Sequence, residues 1–170
     1  PQRLKELLAD NPPKPWNVLA ITFTNKAANE LKDRLKSMLG NTADLIHAGT
    51  FHSQCVRILR RYIHLLGYAS NFSIYDSDDS KRIVKQLMKE YNLNEKMFSP
   101  RDIAGEISRA KDGMISSSEY QSQNQGDFRK ELIGKVYEAY QKYLRSCDAL
   151  DFDDIIYLTV KLLDSNEEVL

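Results

Sequence analysis

The chain has 170 residues, enough for one domain or a core with an insertion, and its 42% hydrophobic and 28% charged content can bury a core and excludes a disordered chain. Twenty-four Lys and Arg balance 24 Asp and Glu, which argues against a uniformly basic nucleic-acid binder. No apolar run reaches the roughly 18 residues of a membrane span, and no basic-then-apolar signal segment opens the chain.

Charge is unevenly spread. Residues 1–70 carry 10 basic against 5 acidic side chains, residues 71–150 carry 13 of each, and residues 151–170 carry 1 against 6. The N-terminal part also holds all three histidines, so a local basic face is available for phosphates. Cys55 and Cys147 lack a CxxC partner and read as free thiols of a reduced cytoplasmic protein. His47 and His64 have no paired ligand spacing, so no metal site is expected.

In chain order, "LKELLAD" (4–10) reads as the last turns of a helix, and the prolines of "NPPKPW" stop it. "NVLAITF" (17–23) is a nearly all-apolar run of the kind found in strands buried on both faces of a parallel sheet. "NKAANELKDRLKSMLG" places Ala28, Leu31, Leu35 and Leu39 at helical spacing and ends on Gly40. "DLIHAGTF" (44–51) predicts a second strand. "HSQCVRILRRYIHLLG" (52–67) predicts a helix with Cys55, Ile58, Leu59 and Ile63 on one face and Gly67 as its stop. "NFSIYD" (71–76) is a weak third strand.

Helices follow. "SDDSKRIVKQLMKEYNL" has acidic residues in its first turn, where they oppose the helix dipole. "SPRDIAGEISRAKDG" opens on Ser99 as N-cap with Pro100 at the first helical position. "SSSEYQSQNQG" is polar and reads as a mobile loop. "DFRKELIGKVYEAYQKYLRS" and "LDFDDIIYLTVKLLD" are two more helices, the first with Leu132, Val136, Tyr140 and Tyr143 at helical spacing. Strand and helix alternate up to about residue 76 and helices alone follow, an α/β core with a helical insertion.

"ITFTN" and "AGTFHS" share one grammar: a strand end, Thr-Phe, polar residues, then a helix. The pairs Thr22-Phe23 and Thr50-Phe51 are 28 residues apart, about one βα unit. If the strands are parallel, both turns lie at the carboxyl edge of the sheet, where open α/β sheets bind ligands. A helix N-terminus offers free N–H groups to a phosphate. Thr24, Asn25, Lys26, Thr50, His52 and Ser53 add side-chain donors, and Phe23 and Phe51 could stack on unpaired bases. Thr, Asn and Ser are equally ordinary N-caps, and a Phe at a strand end is ordinarily core, so the residues alone leave both readings open. Neither turn is a nucleotide phosphate loop, since GxxxxGK[ST] occurs nowhere in the sequence. The three aspartates of "LDFDD" (Asp151, Asp153, Asp154) could suggest a metal cluster, but Asp151 is well placed as an N-cap with carboxylates in the first turn. Tyr137, Tyr140 and Tyr143 read as core.

"ITFTNKAANELKDRL" resembles motif Ia of the UvrD/PcrA/Rep DNA helicases of superfamily I, and "GTFHSQCVRILRR" resembles their next motif. "NFSIYDSDD", "SPRDIAGEISRAKDG" and "LDFDDII" follow in the family's order. The resemblance implies a parent enzyme that hydrolyses ATP with Mg2+, translocates 3′ to 5′ on single-stranded DNA and unwinds duplex in replication or repair. It implies a partial RecA-like parallel sheet in residues 1–75, an inserted all-helical subdomain in 76–148, and a helix returning to the RecA-like core in 149–170. The chain would lie between the Walker A and Walker B motifs and contain neither, so no catalytic residue is expected, and no ATP or metal bound by this segment. By motif position, Phe23, Thr24, Asn25 and Lys26 would touch single-stranded DNA, with Thr50, Phe51, His52 and Ser53 flanking the same strand. Lys96, Arg101, Arg109 and Lys111 are candidates for the duplex junction. Unpaired edges of a truncated sheet would invite self-association. A non-enzymatic protein-docking module of a repair factor, which needs no Thr-Phe turns, is the alternative, and a nuclease-linked relative is a third.

Overall fold

The computed structural model describes residues 14–94, 97–166 and 169. The predicted helix over 4–10 lies outside the described residues. The fold is α/β with a predominantly helical part. It divides into two compact units, one ending at Arg57 and one from Ile58 onward.

In the first unit, β1 (Leu19–Thr22) pairs in parallel with β2 (His47–Thr50), as the two apolar runs predict. Residues 40–45 form a 3-10 turn, so the second strand begins later than its sequence suggests. Helix α1 (Asn25–Leu39) follows β1 and stops at Gly40, whose φ of 57° favours glycine. Leu35, Ala43 and Ile46 form the small core beneath α1, with Val18, Leu31, Leu39 and Ala48 packed around them. The expectation of a strand buried on both faces fails for β1. Leu19 is 55% and Ile21 44% exposed, because β1 alternates between a covered and an open side. Helix α2 (Phe51–Tyr62) leaves β2, and a 3-10 turn over Ile63–Leu66 continues it to Gly67, which is left-handed at φ 75°.

The second unit holds the larger core. Helices α3 (Ser77–Glu90), α4 (Pro100–Asp112), α5 (Ser117–Gln123) and α6 (Phe128–Ser146) surround it, and α7 (Phe152–Ser165) packs on α4. Each start follows local chemistry. Asp76 and Asp79 form a capping box for α3, and Ser99 accepts from the Asp102 N–H with Pro100 in the first turn of α4. Tyr137 and Tyr140 are fully buried and Tyr143 lies at the margin of the core, as their spacing predicts. The third predicted strand shrinks to β3 (Ser73–Ile74). It does not join β1 and β2 but pairs in parallel with β4 (Ala149–Leu150) in a separate ladder.

The stretch read as a mobile loop is instead α5. Ser116 Oγ accepts from the Glu119 N–H at 3.3 Å, and Glu119 Oε2 accepts from the Ser116 N–H at 2.8 Å, closing a capping box. Tyr120 is buried edge-on to Tyr137, and Gln121 Nε2 donates to the Gly134 carbonyl at 3.2 Å. One buried aromatic and a reciprocal cap outweigh the polar composition. Replacing Ser116 with alanine is expected to cost about 1 kcal/mol, seen as faster amide exchange confined to 117–123. Unchanged exchange there would show that Tyr120 alone holds the turn.

Candidate nucleic-acid interface

The register of the first sheet sets the geometry. Thr22 pairs with Thr50, so the two strands end level and both Thr-Phe turns leave the same edge side by side. Neighbouring strands lie about 4.8 Å apart, which brings both helix starts to one short stretch of that edge.

At the first turn, Thr24 caps α1: its Oγ1 accepts from the Ala27 N–H at 3.2 Å. Thr22 Oγ1 donates to the Thr24 carbonyl at 3.1 Å and fixes the turn. The Ala28 N–H goes to the Thr24 carbonyl at 2.9 Å. The N–H groups of Asn25 and Lys26 have no partner among the described residues, and both side chains are exposed. These orphan donors carry the positive end of the helix dipole. Phe23 is 98% exposed, which removes the reading of this ring as core.

At the second turn, Thr50 Oγ1 accepts from the Ser53 N–H at 3.2 Å, and Ser53 Oγ donates to the Thr50 carbonyl at 2.8 Å. Phe51 is 41% exposed. His52 is half-buried and already has an interaction within the protein. Gly49, not singled out from sequence, is what lets this turn close. A Cβ there would lie 2.5 Å from both Ser53 Oγ and Gln54 Nε2, and Gln54 is buried. The "AGT" ahead of the helix is the signal for it, a glycine at a strand end where backbone and side chains approach closely.

The structure therefore gathers Phe23, Thr24, Asn25, Lys26, Thr50, Phe51, His52 and Ser53 at one edge. The three described cations of the set proposed for a duplex have different surroundings. Lys96 lies outside the described residues. Arg101 and Arg109 are exposed on α4, with Arg109 paired to Glu106 at 2.7 Å.

Lys111 is not at the surface at all. Its side chain has 0% exposure, and its Nζ lies 2.7 Å from Asp151 Oδ2 and 2.8 Å from Asp154 Oδ1. Asp151 is the N-cap of α7, in a capping box with Asp154, as the helix-start reading of "LDFDD" predicts. The Tyr140 hydroxyl donates to Asp151 at 2.9 Å and Gln141 Nε2 to Asp154 at 3.1 Å. Burial works against charge on Asp151, but the Lys111 charge and the hydrogen bonds it accepts hold its carboxyl below the usual range. Burial raises Asp154, more than Lys111 can lower it, and the neighbouring Asp151 charge adds to the rise. Burial also opposes charge on Lys111, and the two carboxylates overcome it and hold its ammonium above the ordinary lysine range. This is a structural ion cluster. The described residues contain no group of three or more His, Cys, Asp or Glu placed for a metal, and no helix among them is long and apolar enough to cross a membrane.

Residues 1–170 match the family model described as "UvrD/REP helicase N-terminal domain". The chain is 48% identical over 168 residues to the ATP-dependent DNA helicase PcrA of Bacillus subtilis (strain 168), covering 99% of this chain and 23% of that protein. It is 42% identical over the same length to the PcrA of Staphylococcus aureus (strain Mu50), again 99% of this chain and 23% of the relative. The PcrA of Staphylococcus epidermidis is 41% identical with the same coverage. The chain thus spans under a quarter of the length of these relatives. With a family match along its whole length, the chain belongs to the UvrD/REP helicase N-terminal domain family.

Proposed function

We propose that this chain supplies part of the single-stranded DNA track of an ATP-dependent DNA helicase acting in replication or repair. The observation that carries this is the fully exposed Phe23 at an edge where two capped helix starts stand level. Asn25 and Lys26 hold backbone phosphates through their N–H groups and the Lys26 charge, Phe23 stacks on a base, and Thr50, Phe51, His52 and Ser53 flank the same strand. ATP, with Mg2+, drives movement 3′ to 5′ in the whole protein. The sequence has no GxxxxGK[ST] loop, so this chain by itself hydrolyses no nucleotide. The exposed Leu19 and Ile21 of β1 support self-association through the small sheet.

Fluorescence anisotropy of a labelled single-stranded oligonucleotide across a salt series tests the reading. The expected result is salt-sensitive binding, with Lys26→Ala lowering the slope of log K against log salt by about 1 at every oligonucleotide sequence. No binding at low salt, or a slope untouched by Lys26→Ala, would remove the strand edge from the track.

A further inference from the structure

A cleft of about 290 Å³ lies between α3 and α4 in the second unit, with the start of α7 on its wall. It is lined by charges of both signs, Lys81 and Arg101 with Asp76 and Asp153. Asp151 lines it too, but its carboxylate is already held by Lys111 and the Tyr140 hydroxyl. Two of the other charges stand without an opposite partner. Arg101 is exposed and makes no hydrogen bond or ion pair among the described residues. Lys111 gives its ion pairs to Asp151 and Asp154, so Asp153 has no cation of its own among the described residues. Burial raises the Asp153 carboxyl, and a hydrogen bond with Ser108 opposes the rise. Arg101 and Asp153 thus face one cleft without pairing across it. Gly105, inside α4, is on the same wall. A Cβ there would meet only Arg109 Nη1, at an ordinary 3.7 Å. Packing does not require a glycine that is unfavourable in a helix interior, and its missing side chain keeps the cleft open.

We propose that this cleft binds a small zwitterion, a free α-amino acid with an uncharged side chain. The ligand carboxylate goes to Arg101, which can hold it through two N–H groups, with Lys81 beside it. The ligand ammonium goes to Asp153 and Asp76. Among the described residues no three acidic, His or Cys side chains are placed for a metal, so the carboxylates suit an ammonium, which needs only acceptors. With Asp151 neutralised by Lys111, two cations face two carboxylates, and a ligand of no net charge balances them. The volume lies just below the roughly 300–1,000 Å³ of ordinary ligand pockets, which suits one amino acid rather than a nucleotide. Val84 and Ile107 give the ligand side chain an apolar wall. The cleft shares no residue with the strand edge, and a strand edge that bound no DNA would leave it as it is.

The test titrates L-serine, L-glutamine and L-leucine separately into the 170-residue chain and follows amide resonances by two-dimensional NMR. At least one of them is expected to shift the resonances of residues 77–84, 101–108 and 152–153 saturably, and to leave those of residues 22–26 in place. Arg101→Gln and Asp153→Asn should each raise the Kd of that amino acid by about 10-fold or more, the loss of one charge-assisted hydrogen bond. Its N-acetyl and carboxamide derivatives, each lacking one charge, should bind more weakly by a similar factor. Gly105→Met should fill the cleft and abolish binding. Far-ultraviolet circular dichroism checks that each variant is folded, and both charge variants lie at the cleft surface rather than in the core. Absence of a saturable shift with all three amino acids at about 20 mM, above a millimolar Kd, would overturn the proposal. So would a derivative that binds as tightly as its parent amino acid, or a Kd that neither Arg101→Gln nor Asp153→Asn changes. Failure of the strand-edge reading is separate: it appears as a Phe23→Ala variant that binds single-stranded DNA as well as the parent does.

Discussion

Phe23→Ala is expected to weaken binding of single-stranded DNA by about 1–3 kcal/mol if one base stacks on the ring, roughly 5- to 150-fold in Kd. The effect should appear without a change in stability. Phe23 is 98% exposed, so its ring contributes no buried area to the fold, and the turn is held by Thr22 and Thr24 hydrogen bonds that the substitution leaves in place. Phe51 is more than half covered, so Phe51→Ala mixes lost packing with lost stacking and is the less informative variant. Phe23→Tyr keeps a π face and should bind as the parent does, whereas Phe23→Leu keeps apolar area without a face and should follow alanine. A leucine variant with full affinity would mean that the ring serves through hydrophobic contact alone. An alanine variant with full affinity would leave Phe23 with no part in binding.

The strand-edge site was legible because its signals are local. Two apolar runs ending in Thr-Phe and followed by a helix-like period place both turns, and parallel pairing then follows from one βα spacing. The exposure of Phe23 was not legible, since a phenyl at a strand end has the same sequence signature buried or bare. The polar composition of α5 hides it, although Ser116 and Glu119 stand at capping-box spacing. Lys111 has the charge of a surface cation, and only its position marks it as buried. On α4 it follows Ile103 and Ile107 at successive intervals of four, the face that both isoleucines turn to the core. Its partners Asp151 and Asp154 lie 40 or more residues away, and no local pattern reports a long-range ion cluster. The β3–β4 ladder escaped for the same reason: two residues per strand carry too little periodicity to predict a pairing across 76 positions.

Lys111→Met should strongly destabilise the second unit. Removing the ammonium leaves Asp151 and Asp154 buried against each other with no cation, and breaking a buried pair in this way costs about 3–5 kcal/mol. At a urea slope of about 2 kcal/mol/M, the unfolding midpoint should fall by roughly 2 M. Near-ultraviolet circular dichroism is the suited readout, since Tyr137 and Tyr140 lie in the affected core. The methionine fills the lysine's apolar stem, so cavity formation is not the dominant loss. pH separates the two forms by how many carboxyls are raised. In the parent the pair acts in opposite directions: Asp154 is already raised by burial, while Asp151 is held below its unfolded value of about 3.9. The Asp151 contribution is therefore complete above that pH and is lost as pH falls through the lower folded value. In Lys111→Met both carboxyls lose their cation and burial raises them above their unfolded values. The folded variant then binds more protons than the unfolded chain, and its stability rises as pH falls from 7 toward 5. Adding Asp151→Asn, which keeps the N-cap, and Asp154→Asn should restore much of the loss at neutral pH, because no unpaired charge then remains buried. A single Lys111→Met variant that loses under about 1 kcal/mol and shows no recovery on acidification would mean that water reaches the cluster, and that the cap of α7 stands without its lysine.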